Sequence, residues 1–263
     1  MSASDELKSC CAATYESDFA RLLLGDSFHP GGLALTARIG ELLELKPGQR
    51  LLDVAAGQGE SAIFLAKQFG CEVVGIDFGA DNIAKATSRA ESAGVASLVR
   101  FQQGDAEKLN VPTQTFDAVI CECAFCTFPD KTAAAGEFAR SLRPGGRVGL
   151  SDLTRTGPLP PELEGLLAWI ACIADARPVA EYAAYLEQSG FQIATIERHD
   201  QALAQLISDI RGRLMSTELM VRLKKLELPF VDFSQAQRLA RAASDAVRAG
   251  TLGYSLVTAC RIH

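Results

Sequence analysis

Leu51-Leu52-Asp53-Val54-Ala55-Ala56-Gly57-Gln58-Gly59-Glu60 reads as a buried strand, a tight glycine turn and the start of a helix. Glycine in such a turn lets the backbone pass close beneath a ligand, and open α/β sheets bind ligands at the carboxyl ends of their strands. Gly57-Gln58-Gly59-Glu60-Ser61-Ala62 also fits the dinucleotide fingerprint G-x-G-x-x-A. The turn by itself leaves the ligand open.

Three carboxylates narrow the choice. Asp53 lies just before the turn, where it would repel a pyrophosphate but could pair with an ammonium group. Asp77 ends the next strand-like run, Val73-Val74-Gly75-Ile76-Asp77, placed to accept two ribose hydroxyls. Asp105, in Gly104-Asp105-Ala106 after the third run, can accept an adenine amino group. Together they match a ligand with ammonium, ribose and adenine but no phosphate. A nicotinamide dehydrogenase fits less well, because no nicotinamide-substrate domain follows.

Working outward, residues 50–153 alternate strand and helix. Strands are expected at Arg50–Val54, Glu72–Ile76, Leu98–Gln102, Ala118–Cys121 and Arg147–Leu150. Ala62, Leu65 and Phe69 share one helical face, and so do Ile83, Ala86, Ala90 and Ala93, with Gly94 suited to a helix end. A helix from Asp130 to Leu142 is stopped by Pro144-Gly145-Gly146. Residues 159–177 and 201–249 read as mostly helical, separated by a helix near Glu181–Ser189 and a strand at Phe191–Glu197. Tyr254–Arg261 reads as a last strand. The expected fold is α/β: a Rossmann-like, seven-stranded, mostly parallel sheet with helices on both faces, N-terminal helices and a C-terminal helical lobe. The expected division is an N-terminal helical lid over 1–45, a core over 46–200, and a lobe over 201–263 that includes the last strand.

These motifs resemble the class I methyltransferase family over about residues 48–153. Arg143-Pro144-Gly145-Gly146, the family's usual approach to the fifth strand, adds to the match. Ala55 departs from it, standing where the family's glycine pattern usually begins. The resemblance implies S-adenosyl-L-methionine as cofactor, held by Asp53, Ala55, Gly57, Gly59, Asp77, Phe78, Asp105, Ala106 and Glu122.

The chain has 263 residues, 48% of them hydrophobic and 22% charged, with net charge −6. That size and balance suit one α/β core with an appended lobe. An acidic chain without a basic run is a poor candidate for nucleic-acid or anionic-membrane binding. No stretch approaches the roughly 20 apolar residues of a membrane span. The start, MSASDELKSCC, lacks the apolar segment of a signal peptide, so a cytoplasmic protein is expected.

Its eight cysteines are then expected as free thiols. Cys71 and Cys260 sit in apolar runs and read as small buried hydrophobes. Ile120-Cys121-Glu122-Cys123-Ala124-Phe125-Cys126 ends the fourth strand. Alternation puts Cys121 and Cys123 on one face and Glu122 on the other. Cys121 reads as core, Cys123 falls at the strand's carboxyl end, and Cys126 lies beyond it. Structural zinc is disfavoured, since no second cysteine pair follows.

Glu122-Cys123-Ala124-Phe125-Cys126-Thr127-Phe128-Pro129-Asp130-Lys131 is similar to a segment of arsenite methyltransferases. Trp169-Ile170-Ala171-Cys172-Ile173-Ala174-Asp175-Ala176 is similar to a second cysteine segment of that family, and Leu7-Lys8-Ser9-Cys10-Cys11 to its N-terminal stretch. The resemblance implies Cys123 and Cys172 as substrate thiolates, assisted by Cys10 or Cys11, with Cys126 open as a third ligand. A further family cysteine is missing from Gly25-Asp26-Ser27-Phe28-His29-Pro30-Gly31-Gly32, which leaves a two-thiolate site for a monomethylated arsenical or another soft acceptor. His29 or Glu122 beside an oxygen, nitrogen or carbon acceptor is the alternative, and a non-enzymatic nucleotide- or metal-binding module is a third. Tyr15 and Phe19 fit either a lid over the cofactor or ordinary packing. Arg222, Lys224 and Lys225 read as a solvated helix surface.

Overall fold

The computed structural model describes residues 8, 29–163, 173, 175–228 and 231–262. Cys10, Cys11, Tyr15, Phe19 and Cys172 lie outside the described residues.

Helix α1 (Gly32–Leu42) precedes the alternating core of β1 (Arg50–Val54), α2 (Glu60–Phe69), β2 (Glu72–Asp77), α3 (Ala80–Ser92), β3 (Val99–Gln103) and β4 (Phe116–Glu122). Then come α4 (Lys131–Ser141), β5 (Leu142–Arg155), α5 (Val179–Gln188) and β6 (Phe191–Arg198). Two long helices, α6 (Asp200–Arg222) and α7 (Phe233–Arg248), lead to β7 (Leu252–Arg261). The seven strands form one sheet in the order β3-β2-β1-β4-β5-β7-β6. Four neighbouring pairs, joining β3, β2, β1, β4 and β5, are parallel, and β7 lies antiparallel between β5 and β6. Segments on either side of residue 200 therefore share the sheet.

The burial follows the sequence periodicity. Leu51, Leu52 and Val54 of β1 are fully buried, as continuous apolar runs are in a sheet covered on both faces. Ala62 and Leu65 of α2, and Ala86 and Ala90 of α3, are buried along the faces their spacing marked. α1 packs against α2, and α4 against α5. No helix of the described residues is long and apolar enough to cross a membrane.

One boundary differs from expectation. Leu142 is the first residue of β5 rather than the last of a helix. The pairing of β4 with β5 jumps from Phe116↔Leu142 to Ala118↔Arg147, so Arg143-Pro144-Gly145-Gly146 bulges out of the ladder. A Cβ on Gly146 would lie 2.9 Å from the Arg143 carbonyl oxygen and 3.1 Å from that of Asp117. Only glycine lets the two strands close there.

Candidate active site

The carboxyl ends of β1, β2 and β4 open onto one cavity. Its lining includes Asp53, Ala55, Gly57, Asp77, Phe78, Glu122 and Cys123, together with Lys8, His29, Gln58, Ser61 and Asn82. Of the expected residues, Gly59, Asp105 and Ala106 do not line it.

After β1 the chain turns through left-handed backbone at Ala55 (φ 60°), Gly57 (φ 53°) and Gly59 (φ 80°). Gly59 immediately precedes α2, and a Cβ there would sit 2.4 Å from the Phe101 ring. Its role is close packing of α2 on the sheet. The Gly57 amide donates to Asp77 Oδ2 at 2.8 Å, which pins the turn to the end of β2. Asp77 Oδ1 accepts from the Gly79 amide at 2.9 Å and from Asn82 Nδ2 at 3.0 Å. Burial raises the Asp77 pKa, and these three donors work against the rise.

Asp53 is 3% exposed, and its Oδ2 has no hydrogen-bond partner among the described residues. Burial holds its pKa well above the usual carboxylate range, and the nearby charges of Glu122 and Asp77 add to that. A buried carboxylate without a donor is costly. Beside a cavity, it is a place made for a cationic group. The residues present thus fit an adenosyl ligand carrying an ammonium. The arrangement supplies an unpaired acid at one end and, at the other, a carboxylate aligned with the glycine turn.

Asp105 is engaged elsewhere. Lys8 Nζ donates to Asp105 Oδ2 at 2.8 Å and to Glu107 Oε2 at 2.5 Å. Lys8 itself lines the cavity, so Asp105 meets the site through the lysine.

At the end of β4 the expected alternation stops early. Cys123 has φ 52°, outside strand geometry, and its amide donates to the Ser151 carbonyl at 2.6 Å. Both Glu122 and Cys123 therefore line the cavity rather than pointing to opposite faces. Cys121 and Cys126 are fully buried, and none of the five cysteines of the described residues forms a disulfide. The loop is fixed from below and from the side. Asp152 Oδ2 accepts from the Cys126 amide at 2.8 Å, and the buried Lys131 ammonium donates to the Phe128 carbonyl at 3.0 Å and to Asp175 at 2.5 Å.

Glu122 gathers a polar cluster that sequence reasoning only partly found. It accepts from Ser61 Oγ at 2.6 Å and from Thr36 Oγ1 at 3.1 Å, and His29 Nε2 lies 3.8 Å away. His29 Nδ1 is 3.3 Å from the Pro30 carbonyl. Ser61 and Asn82 each sit in the first turn of the helix after a predicted strand, which is the signal that would have flagged them. Thr36, Lys8 and Asp152 carry no such mark.

Residues 51–146 match the family model described as a methyltransferase domain. The matched segment runs from β1 into the bulge at the start of β5. Over 217 residues the chain is 30% identical to phosphoethanolamine N-methyltransferase 1 of Zea mays, covering 80% of this chain and 39% of that protein. Over 210 residues it is 28% identical to an arsenite methyltransferase of Halobacterium salinarum, covering 76% of this chain and 53% of that one. The chain thus spans about two fifths of the first relative and about half of the second. A solved structure of Haemonchus contortus phosphoethanolamine N-methyltransferase 2, with phosphomonomethylethanolamine and S-adenosylhomocysteine, superposes at TM-score 0.82 and 18% identity. That superposition covers 100% of this chain and 61% of the other, and the likeness is one of fold.

Proposed function

We propose that this protein transfers a methyl group from S-adenosyl-L-methionine to a small acceptor bound at the end of β4. The observation that carries the reading is the unpaired, buried Asp53 beside a glycine turn clamped by Asp77. In this reading Asp53 takes the ammonium group, while Asp77 and the Ala55–Gly57 turn hold the ribose side. Phe78 lines the adenosyl end, and Lys8 bridges to Asp105, with Ala106 beside it. When bound, the cofactor supplies an electrophilic methyl group on a sulfonium.

The acceptor in the leading reading is a trivalent arsenical or a similar soft centre held by the Cys123 thiolate, with Cys172 as the second thiolate. Soft thiolates favour such centres and leave the arsenic lone pair free. A lone-pair acceptor needs no general base, so the protein contributes position, orientation and thiolate activation. The cavity-facing Cys123 and the 28% identity to the Halobacterium arsenite methyltransferase support this. The division into an N-terminal lid (1–45), a core (46–200) and a C-terminal lobe (201–263) belongs to the same proposal. A second reading rests on the Glu122 cluster: His29, 3.8 Å from Glu122, would take a proton from an oxygen or nitrogen acceptor.

Calorimetry with S-adenosyl-L-methionine tests the first step, and absence of binding overturns the whole reading. Methyl transfer to methylarsonous acid and arsenite, in wild type, Cys123→Ser and Cys172→Ser, tests the second. Loss of trivalent-arsenic affinity in the serine variants is expected. Full retention in both removes arsenic and leaves the His29 reading, for which His29→Ala then abolishes transfer to a hydroxyl or amine acceptor.

A further inference from the structure

The strongest feature outside the cavity is the outer face of α6. Three of its large hydrophobic residues are exposed, Met215 at 65%, Leu219 at 55% and Met220 at 42%, and so is Leu223 just past its end, at 56%. With 3.6 residues per turn they fall within one arc of about 140°. They are not scattered singly, as isolated surface hydrophobics usually are. The opposite face of the helix is already used, since Leu203, Ile207 and Leu214 are buried against the protein.

Charge borders this stripe. Arg211 and Arg222 lie along one edge and Arg213 along the other, with Lys224 and Lys225 just past the helix end. Between residues 211 and 225 five basic residues stand against one acid, in a chain whose net charge is −6. That acid, Glu218, is occupied by Arg222 and Gln237 at 2.5 Å each. A groove of about 360 Å³ lies between α6 and α7 beside the stripe, lined by Met215, Leu219 and Glu218 together with Arg211, Arg222 and Arg241. Grooves of about 300–1,000 Å³ accept organic groups rather than single ions.

We propose that this face docks an acidic amphipathic helix of a partner protein. Its apolar row would lie on Met215, Leu219 and Leu223, and its carboxylates would meet the flanking arginines. Methionine surfaces adapt to varied partners, and arginine is enriched at the centres of protein interfaces. A helix-in-groove mode uses such an apolar row with charged flanks. Two other occupants fit less well. A second copy meeting this face by two-fold symmetry would set arginines against arginines. A bilayer surface is flat, whereas the apolar residues border a concave groove. α6 starts at the end of the sheet where the cavity opens, and Ala202 near that start approaches Gly31, two residues from His29.

The test uses the full chain and two labelled synthetic helical peptides, each with a leucine row, one carrying glutamates and the other lysines on the remaining face. The glutamate peptide is expected to bind with micromolar affinity, at least tenfold more tightly than the lysine peptide, and to weaken as salt rises. Leu219→Glu and Arg211→Glu should each weaken it at least tenfold. Both positions are on the solvent side, and an unchanged affinity for S-adenosylhomocysteine and an unchanged Tm confirm that the variants fold. Equal binding of the two peptides overturns the proposal. So does binding to phosphatidylglycerol vesicles that the glutamate peptide fails to displace, or dimerisation in sedimentation velocity that Leu219→Glu abolishes.

Discussion

The ends of β1 and β4 lie side by side in the sheet, and each holds a non-glycine residue in left-handed backbone, Ala55 at φ 60° and Cys123 at φ 52°. Such backbone costs a residue with a Cβ about 1–2 kcal/mol. The two ends bear that cost differently. The β1 turn is fixed by neighbours of the same motif: the Ala56 amide donates to the Ile76 carbonyl, and the Gly57 amide to Asp77. The β4 loop is fixed by groups remote in sequence, namely Ser61, Thr36, Ser151, Asp152 and, through Lys131, Asp175. A binding turn that recurs as one motif can be held by its own residues. A loop that presents a particular thiol has to be held from outside.

The largest effect expected from breaking this contrast is at the β1 side. Asp77→Ala removes the acceptor for Gly57, Gly79 and Asn82 and, in the proposed complex, for two ribose hydroxyls. Two charge-assisted hydrogen bonds of about 1.5 kcal/mol each predict a Kd for S-adenosyl-L-methionine about a hundredfold higher. Isothermal calorimetry reads it, and an unchanged Kd contradicts the ribose assignment. The same measurement on Cys123→Ala should show less than a threefold change, because the β4 end is assigned to the acceptor.

Asp53 sharpens the comparison through pH. Its folded-state pKa is raised, first by burial and then by Glu122 and Asp77. An acid shifted upward contributes its full stability below its unfolded pKa, near 3.9, and loses it as pH rises through the folded value. Asp53→Asn lacks this penalty. The Tm of the wild type should therefore fall relative to Asp53→Asn as pH climbs above about 4, and stop falling once Asp53 is ionised. At neutral pH Asp53→Asn is therefore expected to melt above the wild type. Saturating S-adenosyl-L-methionine should narrow the gap, since its ammonium would pair with the wild-type carboxylate. A Tm difference that is constant from pH 4 to pH 8 would mean that Asp53 does not carry the shift.

What could be read from the sequence follows the same division. Asp53, Ala55, Gly57 and Asp77 belong to strand–turn–helix units whose burial pattern and glycine punctuation are local, and they line one cavity. Cys123 falls at the expected strand end but not on the face opposite Glu122. A cysteine in left-handed backbone has no local signature, so nothing announced that alternation would end at Glu122. Thr36 meets Glu122 across 86 residues of chain, and that contact exists only because α1 packs on α2 beside β4. The helix ends at Ser141 rather than Leu142 for a related reason. Pro144-Gly145-Gly146 reads as its stop, whereas Leu142 already pairs with Phe116 and the glycines serve the bulge beyond.

The smallest predicted effect separates the two strand ends most directly. Glycine at position 55 relieves the left-handed strain of about 1–2 kcal/mol but adds about 0.5–1 kcal/mol of unfolded-chain entropy. Ala55→Gly should therefore raise Tm by at most about 6 °C and leave methyl transfer intact. Cys123→Gly, compared with Cys123→Ala so that loss of the sulfur is common to both, should show the same small gain. Both substitutions at 123 should abolish binding of trivalent arsenic, since the thiol rather than the backbone is assigned to the acceptor. Equal stability gains with opposite functional outcomes would establish that the two ends share a backbone device used for different ends. A Cys123→Gly protein no more stable than Cys123→Ala would mean that the left-handed turn is not kept in solution, and the thiol would lose the geometry that aims it into the cavity.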